Sequence, residues 1–397
     1  MSYTATLWEP IQSIVSDLDE SAIPYSYIEQ TALFVQGVPI TPRTITVSVQ
    51  WDLFEKAFTL FEACGASKTI ATDERSSFQF NKNGIPVEVS CIYNTVIKTD
   101  PYRIKVVRNG VPIWCLSLYF YYADLPAEHS DRIAIKNFLR TKQLEISAQN
   151  ESAWNQNNYD ALINRYGSPA DAASKIMKNP AARLRPLNGL FGDIKGKRVV
   201  NLMGSHGSKA VALSLLGAQA TVIDFSEENA SYARDLAEKA NTSIRYIVSD
   251  VLNLTDDSLW ESFDYVLMEL GILHYFMDLA PLFDVIKKLL SPGGRLVLHD
   301  FHPISTKLIT SKGKKHKVDG NYFNPSLSAA NVAYSKHLST EATDEHEVLL
   351  RKWTLGEIIT AIAEENLVIK KLSEEPNIKV HDIGIPKTFT VVAEKGA

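Results

Sequence analysis

The stretch from Arg198 to Gly217 reads RVVNLMGSHGSKAVALSLLG. A short apolar run precedes a turn that contains Gly204 and Gly207, and a helical pattern of apolar residues follows the turn. This order is typical of the ligand-binding corner of open α/β sheets, because the start of a helix offers unpaired N–H groups and glycine lets a ligand approach the backbone. The glycines do not have the G-x-G-x-x-G spacing of dinucleotide sites. The stretch therefore predicts a binding loop, but its glycines alone do not name the ligand.

The residues around this loop predict a doubly wound, mostly parallel sheet of the Rossmann-like α/β class, because apolar strands alternate regularly with amphipathic helices. Strands are predicted at 198–203, 220–224, 244–248, 264–268 and 295–299, and helices at 207–217, 227–240, 278–290 and 354–365. The apolar stretch after the last helix and the strand at the C-terminus predict an antiparallel edge.

Composition limits the class of protein. The chain has 397 residues, 45% of them hydrophobic and 22% charged, which is typical of two or three globular domains. The net charge of −5 argues against nucleic acid or an anionic membrane as the main partner. The three cysteines, Cys64, Cys91 and Cys115, have no metal-ligand spacing, and the first residues lack a signal-peptide pattern. We expect a cytoplasmic protein without a metal site; the sequence does not indicate an oligomeric state.

A polar segment, LEISAQNESAWNQNNYD from Leu144 to Asp160, predicts a linker. We therefore expect an N-terminal α+β domain over residues 1–148 and a second domain over residues 149–397.

Acidic residues end the second and third predicted strands. A carboxylate at Asp224 can accept both hydroxyl protons of a ribose, although a residue here can also simply cap the helix that starts near Ser226. Asp250 can accept a hydrogen bond from an exocyclic amine while the N–H of Val251 meets a ring nitrogen, as adenine requires. The alternative for Asp250 is an ordinary turn aspartate.

Taken together, residues 150–397 resemble the class I S-adenosylmethionine-dependent methyltransferases. Five segments carry the resemblance in order: VVNLMGSHG, Asp224, SDVLNL, FDYVLMELGILHYF and LLSPGGRLVLHDF. The resemblance implies S-adenosyl-L-methionine as the cofactor and residues 153–187 as a lid over it. The residues that it implies in cofactor binding are Asn201, Gly204, Ser205, Gly207, Asp224, Phe225, Asp250, Val251, Glu269, Leu270, and Tyr159 and Tyr166 of the lid.

The chain departs from the family in this first motif. Asn201 stands where the family has an acidic residue, and Met203 and Ser205 stand where it has its first two glycines. Gly207 matches, and Gly204 lies between the two departures. The departure concerns the methionine end of the cofactor, whereas the motifs for the adenosine end are intact.

The N-terminal part faintly resembles the nucleotidyltransferase fold, with a hairpin about Asn83-Gly84. Thr46 and Ser48 stand where that family has two metal-binding aspartates, and Glu88 is the remaining carboxylate. Hydroxyl groups do not anchor two divalent cations as carboxylates do. The resemblance therefore implies a non-catalytic relative with a binding or packing role.

Candidate catalytic residues follow the fourth and fifth predicted strands. Histidine is the commonest base near neutral pH, so His302 and His274 are candidates, together with Tyr275. His299 and His206 are weaker candidates. For each histidine the alternative is a loop or buried residue with a hydrogen-bonding role.

The long insertion from residue 301 to 353 is predicted to line the site of the acceptor. Its aromatic residues can stack on a small organic molecule, and its lysines can meet an acid group; the alternative is a solvated loop. The residues in question are Lys312, Lys314, Lys315, Lys317, Tyr322, Phe323, Tyr334 and Trp353.

Three functions remain open from the sequence. The first is methyl transfer to a small-molecule acceptor. The second is a different use of the same cofactor, such as intramolecular cyclisation with release of methylthioadenosine. The third is a non-catalytic cofactor-binding or scaffold protein.

Overall fold

The computed structural model describes residues 3–187, 189–313, 315–338, 347–378 and 384–396. The chain divides into two compact units: Met1–Thr141 with Phe323–Ser326, and Lys142–Tyr322 with Leu327–Ala397. The division lies a few residues before the predicted one. The predicted linker is wrong for residues 144–154, which are helical.

The helices are α1 (Tyr3–Glu20), α2 (Glu29–Val35), α3 (Phe54–Glu62), α4 (Leu118–Asp124), α5 (Ser130–Trp154), α6 (Asn158–Tyr166), α7 (Pro169–Lys178), α8 (Pro180–Arg183), α9 (Ser208–Leu215), α10 (Glu227–Lys239), α11 (Ala280–Leu289) and α12 (Leu355–Glu364). None of the described helices is long and apolar enough to cross a membrane.

The strands of the N-terminal unit are β1 (Tyr25–Tyr27), β2 (Ile45–Val49), β3 (Ile70–Ala71), β4 (Arg75–Lys82), β5 (Ile85–Ile92), β6 (Arg103–Arg108) and β7 (Val111–Leu116). Those of the C-terminal unit are β8 (Arg198–Leu202), β9 (Gln219–Asp224), β10 (Arg245–Val248), β11 (Phe263–Glu269), β12 (Leu290–Phe301), β13 (Ile309–Lys312), β14 (Lys315–Val318), β15 (Leu327–Asn331), β16 (Glu347–Arg351), β17 (Leu367–Pro376) and β18 (Pro386–Lys395).

The main sheet of the C-terminal unit has the strand order β10-β9-β8-β11-β12-β18-β17. The first five strands are parallel, and β18 is antiparallel to both of its neighbours. The predicted Rossmann-like, mostly parallel sheet is confirmed, and β17 and β18 form the antiparallel edge. The strand order reverses between β8 and β11, and ligands of open α/β sheets bind at the carboxyl ends of the strands at such a switch point.

Alternation of side chains along β8 explains the two helical layers. Val199 packs with Leu213 and Tyr232 of α9 and α10 on one face of the sheet. Val200 packs with Phe283 and with residues of α12 on the other face. Successive residues of a strand point to opposite faces, so a continuously apolar strand is buried on both sides, as parallel strands are.

The N-terminal unit has a mixed sheet of order β3-β4-β5-β2-β1-β7-β6, and β4 and β5 form the predicted hairpin. Thr46 of β2 lies beside Glu88 of β5 in the parallel register. The Thr46 hydroxyl donates to the Ile28 carbonyl at 2.8 Å, and Glu88 pairs with Arg75 at 2.9 Å. Within the described ranges, no group of three or more His, Cys, Asp or Glu residues is placed to hold a metal ion. The relation to nucleotidyltransferases stays a prediction.

The loop between β8 and α9, residues 203–207, is called the binding loop below. Gly207 has a φ of +69°, and a Cβ atom at this position would lie 2.7 Å from the Cβ of Ala233 on α10. Gly207 therefore allows both a left-handed backbone and close packing of α10 against the loop. Gly293 has a similar φ of +73°, but among the described residues no atom lies within 4 Å of the place that its Cβ would take.

We expect Gly207→Ala to lower the free energy of unfolding by about 2–4 kcal/mol. The new Cβ atom would overlap Ala233, and the alanine would also have to adopt the left-handed backbone conformation. Gly293→Ala is the matched control, with a cost of about 1–2 kcal/mol from the strain alone. Urea unfolding of both variants measures the difference. Equal losses would show that the contact with Ala233 relaxes without cost.

Candidate functional site

A cavity of about 460 Å³ lies at the carboxyl ends of β8, β9 and β11. The binding loop, the ends of β9 and β11, the segment α5–α8 and the β15–β16 region all contribute to its walls. The predicted site residues that line it are Tyr166, Asn201, Gly204, Ser205, Asp224, Phe225, Glu269, Leu270, His274 and Tyr275. The predicted residues that do not line it are Tyr159, Gly207, Asp250, Val251 and His302.

The binding loop follows a left-handed path despite its missing glycines. Met203 has a φ of 49° and Ser205 a φ of 46°. A non-glycine residue in this region carries strain of about 1–2 kcal/mol. Such strain persists only where neighbouring contacts fix the backbone, and here the Ser205 carbonyl accepts from the Tyr246 hydroxyl at 2.9 Å.

Asn201 lies beneath the binding loop. Its side-chain Nδ2 donates to the Leu267 carbonyl at 3.3 Å, and its Oδ1 would lie 2.7 Å from a Cβ atom at Gly204. Glycine at 204 is therefore required by this close approach. Asn201 supports the loop and the neighbouring strand, but it brings no charge to the cavity.

Asp224 joins the binding loop to the start of α10. Its Oδ2 accepts from the Ser205 N–H at 3.0 Å, and its Oδ1 accepts from the Ser226 N–H at 3.0 Å. Burial raises the pKa of the Asp224 carboxyl above its ordinary value, and these N–H donors oppose the rise. The helix cap itself is made by Ser226, whose hydroxyl accepts from the Asn229 N–H, so the two sequence interpretations of this region are compatible.

Asp250 and Val251 line a second, much smaller cavity, of about 10 Å³. Met203, Phe225 and Tyr275 line both cavities. Asp250 also accepts from the Leu252 N–H at 2.9 Å, which is the turn role considered from the sequence. The predicted adenine-binding residues thus lie next to the main cavity rather than in it.

Five aromatic side chains form a wall of the main cavity, called the aromatic wall below: Trp154, Tyr166, His206, Tyr275 and Tyr334. Tyr166 stacks on His206 with ring centroids 4.5 Å apart, and Trp154 meets Tyr334 edge-on at 5.9 Å. The Trp154 indole N–H donates to the Tyr275 hydroxyl at 3.1 Å. The predicted lid and insertion therefore both contribute aromatic residues to this cavity.

Tyr159 is placed elsewhere. Its ring meets Tyr232 edge-on at 5.6 Å, and its hydroxyl donates to Asp235 at 2.6 Å on α10. Tyr159 packs the lid segment onto the unit, which is the alternative that the sequence left open for its aromatic residues.

Two cations of the cavity were missed by sequence reasoning. Lys209 pairs with Glu269 at 2.9 Å, and both side chains are mostly buried. Burial lowers the pKa of Lys209, and Glu269 opposes this effect. Arg183 donates through Nη2 to the Ser208 hydroxyl at 2.7 Å. Lys209 follows the glycine loop by two residues, a position that could have been noticed; nothing local distinguishes Arg183 from its neighbours.

The lysines predicted to meet the acceptor do not line the cavity. Lys312, Lys315 and Lys317 are exposed on β13 and β14, and Lys314 lies outside the described residues. Trp353 is buried in the core, where its indole N–H donates to the Leu273 carbonyl at 2.9 Å. Of the other aromatic residues of the insertion, Tyr334 lines the cavity, whereas Tyr322 and Phe323 do not.

The catalytic candidates separate clearly. His274 lines the cavity, and burial lowers its pKa, so its ring is in the neutral form near pH 7. Burial raises the pKa of Tyr275, which therefore stays a protonated phenol. His302 is buried outside the cavity lining; its Nδ1 accepts from the Ile304 N–H and its Nε2 lies 2.6 Å from Glu374. His299 contacts Thr390 between β12 and β18.

Part of the chain matches a known protein family. Residues 203–298 match the family described as "Methyltransferase domain". The resemblance of this part of the chain to the class I S-adenosylmethionine-dependent methyltransferases is thereby confirmed. No curated protein matches the chain.

Among solved structures, the chain is similar to an S-adenosylmethionine-dependent methyltransferase from Mesorhizobium loti, with 23% identity over 55% of this chain and 99% of that one, at a TM-score of 0.43. It is also similar to magnesium protoporphyrin IX methyltransferase from Synechocystis, with 13% identity over 62% of this chain and 97% of that one, at a TM-score of 0.39.

Burial makes His206 a source of pH-dependent stability. Burial is the main reason that the pKa of His206 falls from 6.5 to about 3, and the positive charge of Arg183 adds to the effect. At a pH above the pKa that the histidine has in the unfolded chain, the imidazole is neutral in both the folded and the unfolded state. As the pH falls from there toward about 3, the unfolded chain takes up a proton that the folded chain does not, so the free energy of unfolding falls.

Between about pH 7.5 and about pH 5, we expect the free energy of unfolding of His206→Asn to fall by about 2 kcal/mol less than that of the unaltered protein. The difference accumulates at about 1.4 kcal/mol per pH unit below the pKa of the histidine in the unfolded chain. Urea unfolding of both proteins at the two pH values measures this. His274 is retained in both proteins, so its contribution cancels. The same loss in both proteins would contradict a neutral, buried His206.

Proposed function

We propose that the C-terminal unit binds S-adenosyl-L-methionine in the main cavity and transfers its methyl group to a small organic acceptor. The observation that carries the proposal is the position of the cavity: it lies at the switch point of the sheet and is walled by the binding loop, Asp224 and the aromatic wall. A volume of about 460 Å³ is within the range of small-molecule and cofactor sites.

The residues present fit the adenosine end of this cofactor. The buried Asp224 would accept the ribose hydroxyls, which a carboxylate does better than a neutral group. Phe225, next to it, lines both cavities and would pack on the adenine ring, with Asp250 and Val251 at the edge of the ring. Gly204, which lines the cavity, would let the ligand lie close to the backbone.

The aromatic wall fits the reacting end. A sulfonium is attracted to aromatic rings, and Tyr166, Tyr334 and Trp154 line the cavity. The cofactor, when bound, supplies an activated methyl group for in-line displacement. The protein would then orient the acceptor and exclude water.

The apolar part of the cavity lining fits an acceptor with an apolar body. Phe301, Ala333, Val348 and Leu350 line the cavity together with His274. The neutral ring of His274 would accept the proton that an acceptor hydroxyl or amine loses during methyl transfer. A concave, partly apolar cavity of this size supports a small molecule rather than a nucleic acid as the acceptor.

The binding loop also supports a second candidate, which is the use of the same cofactor in a reaction that releases methylthioadenosine. Met203 and Ser205 bring side chains to the loop at the methionine end, where the family has glycines. That end of the cofactor would therefore be held differently from the family pattern.

For cofactor binding, we expect Asp224→Asn to weaken the affinity for S-adenosylhomocysteine by about 10- to 100-fold, because the ribose hydroxyls would lose a charged acceptor. Asp264→Asn is the matched control, since Asp264 accepts from the Arg198 N–H at the other end of β11 and does not line the cavity. Isothermal titration calorimetry measures both. Unchanged affinity in Asp224→Asn would remove Asp224 from the site.

For the reaction, we expect purified protein with methyl-labelled S-adenosylmethionine and cell extract to transfer label to the small-molecule fraction. His274→Gln should lower the rate by about 100-fold or more without changing cofactor affinity, since loss of a general base costs about 10² to 10⁴ in rate. Release of methylthioadenosine would favour the second candidate. Label in RNA or DNA, or no turnover with any extract, would overturn the proposed function.

A further inference from the structure

We propose that Glu269, Lys209 and Arg183 form a charged subsite that binds an α-amino acid group, namely the amino-acid end of the cofactor. This inference rests on the proposed function. In it, Glu269 receives the α-ammonium, and Arg183 with Lys209 receives the α-carboxylate. The three side chains would thus replace the acidic residue that the first motif lacks at Asn201.

The ion pair between Lys209 and Glu269 joins two elements across the switch point. Lys209 lies in the first turn of α9, and Glu269 is the last residue of β11. Their side chains are 16% and 12% exposed, and both line the cavity. The contact with Lys209 uses Oε1 of Glu269, and within the described part of the chain Oε2 accepts no hydrogen bond. Oε2 is therefore available to a cationic group of a ligand.

Arg183 is held beside this pair by its own contacts. Its Nε and Nη2 donate to the Ser208 hydroxyl at 3.0 and 2.7 Å, and Nη2 lies 3.3 Å from Nε2 of His206. Lys209 in turn donates to the Arg183 carbonyl. Among the described residues, Nη1 of Arg183 has no hydrogen-bond partner, and the side chain lines the cavity. The guanidinium is thus positioned with one nitrogen left for a carboxylate.

Charge selects the ligand group. A purely anionic ligand would be attracted by Arg183 and Lys209 but repelled by Glu269. A purely cationic ligand would be attracted by Glu269 but repelled by the two cations. A group that carries an ammonium and a carboxylate on one carbon satisfies both signs, and opposite charges 2.9 Å apart are what the pair presents. Because buried charges are costly without partners, the subsite favours a zwitterion.

Asn201 explains why such a replacement is needed. Its amide is neutral, and its Nδ2 is directed to the Leu267 carbonyl at 3.3 Å, so it supplies no charge for an ammonium. Glu269 lies two strand residues beyond Leu267 on β11, the strand that pairs with β8 at this point. The carboxylate that lines the cavity thus lies on β11, the neighbouring strand, and not on β8.

A zwitterion could come from the cofactor or from an amino-acid acceptor, and the choice of ligands separates these sources. S-adenosylhomocysteine carries both charged groups, decarboxylated S-adenosylhomocysteine carries only the amine, and methylthioadenosine carries neither. Calorimetric titration of each ligand into the full-length protein therefore reports one charge at a time.

We expect Glu269→Gln to weaken the binding of S-adenosylhomocysteine and of decarboxylated S-adenosylhomocysteine by about 10- to 100-fold, since charged hydrogen bonds are lost, and to leave the binding of methylthioadenosine unchanged. Arg183→Gln should weaken only S-adenosylhomocysteine by about the same factor. Glu261→Gln is the matched control, because Glu261 also pairs with a lysine at 2.9 Å, Lys395, but does not line the cavity. Unchanged binding of methylthioadenosine also shows that the variant is folded.

Two failures are distinguishable. If the unaltered protein binds neither S-adenosylhomocysteine nor methylthioadenosine, the proposed function fails. If it binds both, but Glu269→Gln and Arg183→Gln affect them equally or not at all, the subsite is wrong and the amino-acid end lies elsewhere. In that case weaker binding of a free amino acid by the same variants would assign the charges to the acceptor.

Discussion

The buried carboxylate of Asp224 is the contact on which the cavity depends. It accepts from backbone N–H groups on two separate segments, Ser205 in the binding loop and Ser226 at the start of α10. A buried carboxylate is costly unless hydrogen bonds satisfy it, so these donors and the loop conformations that present them are fixed together. The same side chain lines the cavity, and hence one residue both fixes the loops of the site and contributes to its wall.

A second buried carboxylate plays a comparable part on the other side of the switch point. Asp300, on β12, accepts from the N–H groups of Gly271, Ile272 and Leu273. These contacts hold the loop after β11, in which Leu270 has a φ of 52°. Both strained loops are thus fixed by carboxylates from neighbouring strands, which is how a fold keeps unfavourable backbone conformations at a site.

Several of the site residues that the sequence predicted are fixed by their position along a strand. Asn201, Asp224 and Glu269 line the cavity because parallel strands place their carboxyl ends at one edge of the sheet. His302 follows β12 directly, yet it is turned into a contact with Glu374 of β17 and away from the cavity lining. Its partner is 72 residues away in the chain, so no local pattern could have indicated the pairing.

The sequence by itself determined the alternation of strands and helices, the mostly parallel sheet and the position of the glycine-bearing binding loop, because these follow from local periodicity and turn residues. Only the tertiary structure decided which charged groups face the cavity. The predicted lysines of the insertion are exposed, whereas Arg183 and Lys209 lie within the site beside Glu269. The physical reason is that a side chain's burial and partners depend on segments distant in the chain, which sequence spacing does not encode.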